Sequence, residues 1–166
     1  ASKVQIEKIK KELSSYKIKS DFNENRDLEE NLKILTKQLE KIKIKNVIKD
    51  KNKNIIKDKQ IGNFILRQQT LYDFPPKELR SIIDQAKKDI KSGIIVSIST
   101  LEEKVGVAVG VTNNLVSKYD AVILVKIASD ILGGKGGGGR KDFAQAGGAN
   151  KDKISDVFKA IINKIS

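Results

Sequence analysis

The stretch Gly133–Gly148 reads GGKGGGGRKDFAQAGG. It holds eight of the chain's twelve glycines, with Lys135, Arg140 and Lys141 set against the single carboxylate of Asp142. Glycine loses more backbone freedom on folding than any other residue, so such a run is either a flexible linker or main chain kept bare for a purpose. The run lies between two apolar segments and contains the compositionally complex piece RKDFAQAGG. A plain linker has no use for Phe143, Gln145 and a second glycine pair, Gly147–Gly148. The alternative is a surface where main chain approaches a ligand closely and offers N–H groups to phosphate or ribose, with the cations adding charge.

Two familiar phosphate cradles fit the run badly. A Walker A loop needs Gly-Lys followed by Ser or Thr to hold magnesium, whereas Lys135 is followed by Gly136. Gly134, Gly136 and Gly139 satisfy G-x-G-x-x-G formally, but the element before them reads as a helix rather than the strand that motif needs. Six glycines in seven residues make that spacing uninformative.

On either side of the run the chain reads as alternating helices and strands. Tyr119–Leu132 contains AVILVKI, which periodicity leaves open between a buried strand and a helix; its length before Gly133 favours the helix. Ile154, Val157, Phe158, Ile161, Ile162 and Ile165 mark a last helix, with Asn150 placed to cap it. Asn63–Thr70 and Ile94–Ser99 fit strands. Lys104–Val111 fits a third, with four valines on one face and Gly106, Ala108 and Gly110 on the other, so that something packs unusually close there. Pro76 suits a first helical position. Leu79, Ile82, Ile83, Ala86 and Ile90 mark that helix's buried face, and Gly93 is read as its left-handed stop.

The first part of the chain differs in texture. Residues 1–60 contain no Gly or Pro and carry 17 cations against 10 acids. Ile6, Ile9, Leu13 and Tyr16 form one apolar stripe; Leu28, Leu32, Leu35, Leu39 and Ile42 form a heptad stripe too short for an isolated coiled coil. The stripes are out of phase, which predicts a helical hairpin rather than one rod. Packing within the chain is favoured, with a dimerisation stalk as the alternative. Lys43–Lys59 reads as a lysine- and asparagine-rich linker entering a first strand. The predicted architecture is α+β: a helical subdomain over residues 1–50, then a globular α/β domain over 51–166 with a small central sheet and flanking helices.

Composition limits the chemistry. With no cysteine and no histidine among 166 residues, disulfides, thiolate metal sites and the usual neutral-pH general base are excluded, leaving no catalytic or metal-binding residue to nominate. No run of about 18 apolar residues appears, so no membrane span is expected. Met 0 and a start in mid-helix pattern point to a piece of a longer protein. A net charge of +12 favours a polyanionic partner, though Lys, Ile and Asn share AT-rich codons and charge alone leaves the two explanations even.

The glycine run resembles the signature of the C-terminal domain of alanyl-tRNA synthetases, G-G-K-G-G-G-R-x-x-x-A-Q-A-G-G. Gly133-Gly134-Lys135-Gly136-Gly137-Gly138 and Ala144-Gln145-Ala146-Gly147-Gly148 match it. Two departures are an extra glycine, Gly139, before Arg140, and Lys141 where proline is common. The resemblance implies a cytoplasmic tRNA-binding module, a helical stalk followed by a DHH-associated type of domain that engages the outer corner of tRNA(Ala). On that resemblance the parent ligase supplies aminoacylation and editing, with ATP, magnesium and zinc held in other domains and none here. It also implies the rest of the synthetase as partner, with self-association possible through the helical part. Similar domains accompany DHH phosphoesterases, which makes a nucleic-acid-binding domain of such an enzyme the runner-up. The residues nominated for RNA are Lys135, Gly136, Gly137, Gly138, Arg140, Lys141, Gln145, Gly147 and Gly148.

Overall fold

The computed structural model describes residues 2–166 and divides the chain into two compact units, Ala1–Lys49 and Asp50–Ser166. In the first unit, α1 (Ser2–Ser15) packs on α2 (Leu28–Lys49). Ile6, Leu13, Leu35 and Leu39 form its buried centre, ringed by Ile9, Phe22, Leu32 and Ile42. The two stripes therefore meet inside one chain, as favoured above. Their outermost members do not take part: Leu28 and Tyr16 are exposed.

The connection between these helices is long and polar, and two side chains of α2 organise it. Asn31 is completely buried; its Oδ1 accepts from the Asn23 N–H, and its Nδ2 donates to the Asn23 and Arg26 carbonyls. Gln38 accepts from the Asp21 N–H and donates to the Lys19 carbonyl. A buried amide must be satisfied, and here its partners are main-chain groups of the loop. Asp27 Oδ1 accepts from the Glu30 N–H at 2.8 Å and caps the start of α2.

The second unit is a six-stranded mixed sheet. Its strands are β1 (Asn54–Ile61), β2 (Phe64–Tyr72), β3 (Gly93–Leu101), β4 (Lys104–Val111), β5 (Gly137–Gly139) and β6 (Phe143–Gly148). They are ordered β1-β2-β3-β4-β6-β5, and only the β2–β3 pair is parallel. That pair needs a crossover, supplied by a short 3₁₀ turn, Pro76–Glu78, and α3 (Leu79–Ile90). On the other face lie α4 (Ala121–Ile131) and α5 (Ile154–Ile165). There Val96, Ile98, Val107, Val109 and Ala144 pack against Leu124, Val125 and Ala128 of α4 and Val157 and Ile161 of α5. The chain is thus α+β, with a helical part followed by an α/β unit.

The small face of β4 explains how close α3 comes. A methyl group on Gly106 would enter the ring of Pro76, and one on Gly110 would strike Ile83. Central β3 is buried on both faces, so that Ser97 and Ser99, which alternate with Val96 and Ile98, are as buried as their apolar neighbours.

Four readings of the sequence need correction. Lys43–Lys59 is not a linker: α2 continues to Lys49, and β1 begins at Asn54. β1 is an edge strand whose inner residues are exposed, so it shows no burial alternation and is held by its pairing with β2. A fork of two hydrogen bonds from Arg67 to Asp58, at 2.9 and 3.0 Å, supports that pairing. Gly93 does not stop α3; Lys91 makes the turn at positive φ (62°, with ψ −46°), while Gly93 opens β3 where a side chain would hit the Ile65 carbonyl. Asn150 makes no side-chain cap; its amide lies against Gly133. The central sheet is larger than expected because the glycine run itself forms its last two strands.

With both stripes joined inside the chain, sedimentation equilibrium should return a mass near 18.4 kDa at every concentration. Leu32→Asp with Leu39→Asp should melt the helical unit, seen as lost helical circular dichroism, rather than separate a dimer.

Candidate nucleic-acid interface

The interface begins where α4 ends. Gly133 has φ +76°, its N–H donates to the Asp130 carbonyl, and the Gly134 N–H donates to the Ser129 carbonyl at 2.8 Å. This is a Schellman closure, in which a left-handed glycine lets the chain reverse over the last turn. The chain then runs back along β6. Gly134 packs so tightly on the Gly147 carbonyl and Ser129 Oγ that a side chain has no room. Ser129, completely buried, accepts from the Gly136 N–H at 3.0 Å and reaches toward the Gly147 carbonyl at 3.5 Å. One hydroxyl thus joins α4, the glycine run and β6.

β5 pairs with β6 through Gly137↔Ala146, Gly138↔Gln145 and Gly139↔Ala144. At the hairpin's closed end Arg140 and Phe143 exchange both main-chain hydrogen bonds, at 2.7 and 3.3 Å. Antiparallel pairing alternates, so Gly138 bonds inward to Gln145 while Gly137 and Gly139 turn their N–H and C=O groups outward. β5 is the edge of the sheet, and all three of its residues are exposed. The result is a strip of main chain with free polar groups and no side chains.

The glycines of the run fall into three groups. Gly134, Gly137, Gly139 and Gly148 are closed by the protein: a side chain at Gly137 would enter the Gln145 carbonyl, and one at Gly148 would meet Leu132 of α4. Of the pair Gly147–Gly148, only Gly148 therefore makes room for the end of α4. Gly136 faces open space but has φ +92°. Gly138 and Gly147 have neither constraint; a methyl group at Gly138 meets nothing within 4 Å, and at Gly147 only the Val105 carbonyl at 3.7 Å. Register places both beside exposed Gln145, on the face of the sheet that carries α3.

Of the nominated residues, Gly138, Gln145 and Gly147 come together as one open patch. Lys135 stands exposed at one end of β5, with Arg140 and Lys141 at the other. Lys135 and Lys141 have no ion pair among the described residues, whereas Arg140 lies 3.6 Å from Asp142. The hairpin tip is fixed from outside: the Lys141 carbonyl accepts from the Ala121 N–H, and the Asp142 carbonyl accepts from Lys87 Nζ at 2.8 Å. Gly136 and Gly137 belong to the scaffold, since the Gly136 N–H is taken by Ser129 and the α-carbon of Gly137 is closed by β6; Gly148 joins them. Extra Gly139 is absorbed as the last residue of β5.

Two contributors escaped the sequence reading. Arg80 of α3 lies over the Phe143 ring at 5.0 Å and brings a cation to the face of the sheet that carries the open patch. Ser129 is the other. Neither stands in a pattern visible along the chain, because each acts on a strand far from it in sequence.

Residues 63–166 match the DHHA1 domain family, and the chain belongs to it. Among its relatives, the alanine–tRNA ligase of Granulibacter bethesdensis is 42% identical over 102 residues, covering 61% of this chain and 12% of that protein. That of Hyphomonas neptunium is 49% identical over 85 residues, covering 51% and 10%. The chain therefore spans about a tenth of these relatives' length. The C-Ala domain of Aquifex aeolicus alanyl-tRNA synthetase superposes with a TM-score of 0.62 at 29% identity, covering 66% of this chain and 98% of that one. No helix among the described residues is long and apolar enough to cross a membrane.

Gly137→Ala and Gly134→Ala should each cost about 1–3 kcal/mol in urea unfolding, because main chain must move to admit the methyl group. Gly138→Ala should leave stability unchanged or raise it by up to about 1 kcal/mol.

Proposed function

We propose that this chain is a tRNA-binding module of an alanyl-tRNA synthetase, engaging the outer corner of tRNA(Ala). Aminoacylation and editing would then belong to other parts of the parent enzyme. The observation that carries the reading is the pair Gly138 and Gly147. Neither packing nor backbone conformation requires glycine at these positions, and a ligand backbone coming close to the sheet does. The outward N–H groups of Gly137 and Gly139, with Gln145 as a hydrogen-bonding side chain, suit ribose and phosphate. Lys135, Lys141 and Arg140 supply charge at both ends of β5, and the similarity to alanine–tRNA ligases points the same way.

Contacts of this kind carry little base code, so shape is what such a surface reads. Titration of labelled tRNA(Ala), a second tRNA and a plain RNA duplex at two salt concentrations tests this. The expected order is both tRNAs well above the duplex, with modest preference between them. Lys135→Ala should lower the salt slope by about 0.9. Gly138→Ala should weaken tRNA binding while the urea midpoint holds. Equal affinity for tRNA and duplex would leave only charge attraction, and full affinity in Gly138→Ala would move the ligand surface elsewhere.

A further inference from the structure

The face of the sheet that carries α4 and α5 is left open toward the end of β2. There a groove of about 700 Å³ lies between β1 and β2 on one side and α5 on the other. Gln68, Thr70 and Tyr72 of β2, with Thr100 of β3, form its floor. Half-buried Ile154, Phe158 and Ile162 form the helical wall. All these residues belong to the second unit, on the face of the sheet opposite the open glycines.

The floor has unused hydrogen-bonding capacity. The side chains of Gln68, Thr70, Tyr72 and Thr100 have no hydrogen-bond partner among the described residues, and none is sealed from solvent. Gln69, pointing to the other face, is by contrast tied to Asn54 at 2.8 Å and to Ser97 at 3.3 Å. Lys57 and Lys159 border the groove without an ion pair among the described residues. Lys151 is 3.5 Å from Glu103, and Asp152 is the acid of the lining.

These features select among occupants. An apolar helix laid in the groove would strip water from four unpaired polar groups, at about 1–3 kcal/mol for each group left unsatisfied. A nucleotide instead brings donors and acceptors on its base edge, a π-face for Tyr72 or Phe158, and a phosphate for the free lysines. A duplex has its base edges already paired. We propose that this groove binds unpaired nucleotides of an RNA strand, as a second RNA site distinct from the glycine strip. The inference stands on the groove itself and does not depend on the tRNA reading.

Fluorescence anisotropy of the whole chain with labelled octa-uridylate tests it, with UMP, an RNA duplex and an acidic amphipathic peptide as competitors. Tyr72→Ala should weaken binding roughly tenfold while Tyr72→Phe retains it, the signature of stacking rather than of the hydroxyl. Lys57→Gln with Lys159→Gln should lower the salt slope by about 1.4. Gly138→Ala should leave octa-uridylate binding intact, which separates this site from the one on the opposite face. The proposal is overturned if UMP, the duplex or the peptide competes as well as unlabelled octa-uridylate. It is equally overturned if Tyr72→Ala binds normally, or if Gly138→Ala alone abolishes binding. Circular dichroism of each variant confirms that the sheet and helices remain.

Discussion

The second unit depends on the close approach of one glycine main chain to another at the end of α4. Gly134 lies on the Gly147 carbonyl, Gly148 lies under Leu132, and Ser129 holds the Gly136 N–H. Side chains at these positions would push the chain away from β6, and β5 could not form. The entropy glycine loses on folding is offset here by ladder hydrogen bonds and by a buried hydroxyl with defined partners. Because the glycines inside this contact are fixed by the protein, those outside it stand out as unexplained by the fold.

The same economy of side chains appears on β4. Its valines join the large core with α4 and α5, while Gly106 and Gly110 let Pro76 and Ile83 sit almost on the sheet. The α3 face is therefore thin and brings Arg80 down over Phe143. The other face is thick over β3, β4 and β6 and open at the end of β2, where polar floor residues replace valines. An edge of bare main chain on one side and a polar groove on the other follow from how far the three helices extend across six strands. In the helical unit, buried Asn31 serves a comparable end by other means, ordering a loop through main-chain groups rather than through apolar contacts.

Much of this was legible in the residues. Periodicity located α3 and α5, length rather than periodicity favoured a helix at α4, and the valine-and-glycine alternation of Lys104–Val111 forecast both β4 and its close neighbour. The phase of the two N-terminal stripes pointed to a hairpin, and the shortness of the second favoured their packing within the chain over a dimer. The failures have physical causes. β1 lacks alternation because neither of its faces is well covered, so its strand character resides in the pairing with β2. β5 has no propensity to read, since three glycines form a strand only when β6 lies beside them. Which glycines are closed and which are open depends on carbonyls and side chains far along the chain, as between Gly134 and the Gly147 carbonyl or Gly148 and Leu132. The signature could nominate Lys135–Gly148 as a unit, but only the fold divides it into scaffold and open surface.

Amide hydrogen exchange of the individually assigned glycines, in free and tRNA-bound protein, tests that division most directly. In the free protein the amides of Gly136 and Gly138 should be protected, by Ser129 Oγ and by Gln145, while those of Gly137 and Gly139 exchange quickly. Addition of tRNA should slow Gly137 and Gly139. Uniformly fast exchange across Gly134–Gly139 in the free protein would make the run a flexible linker. Unchanged exchange at Gly137 and Gly139 on saturation with tRNA would show that the bare edge of β5 is not where RNA lies.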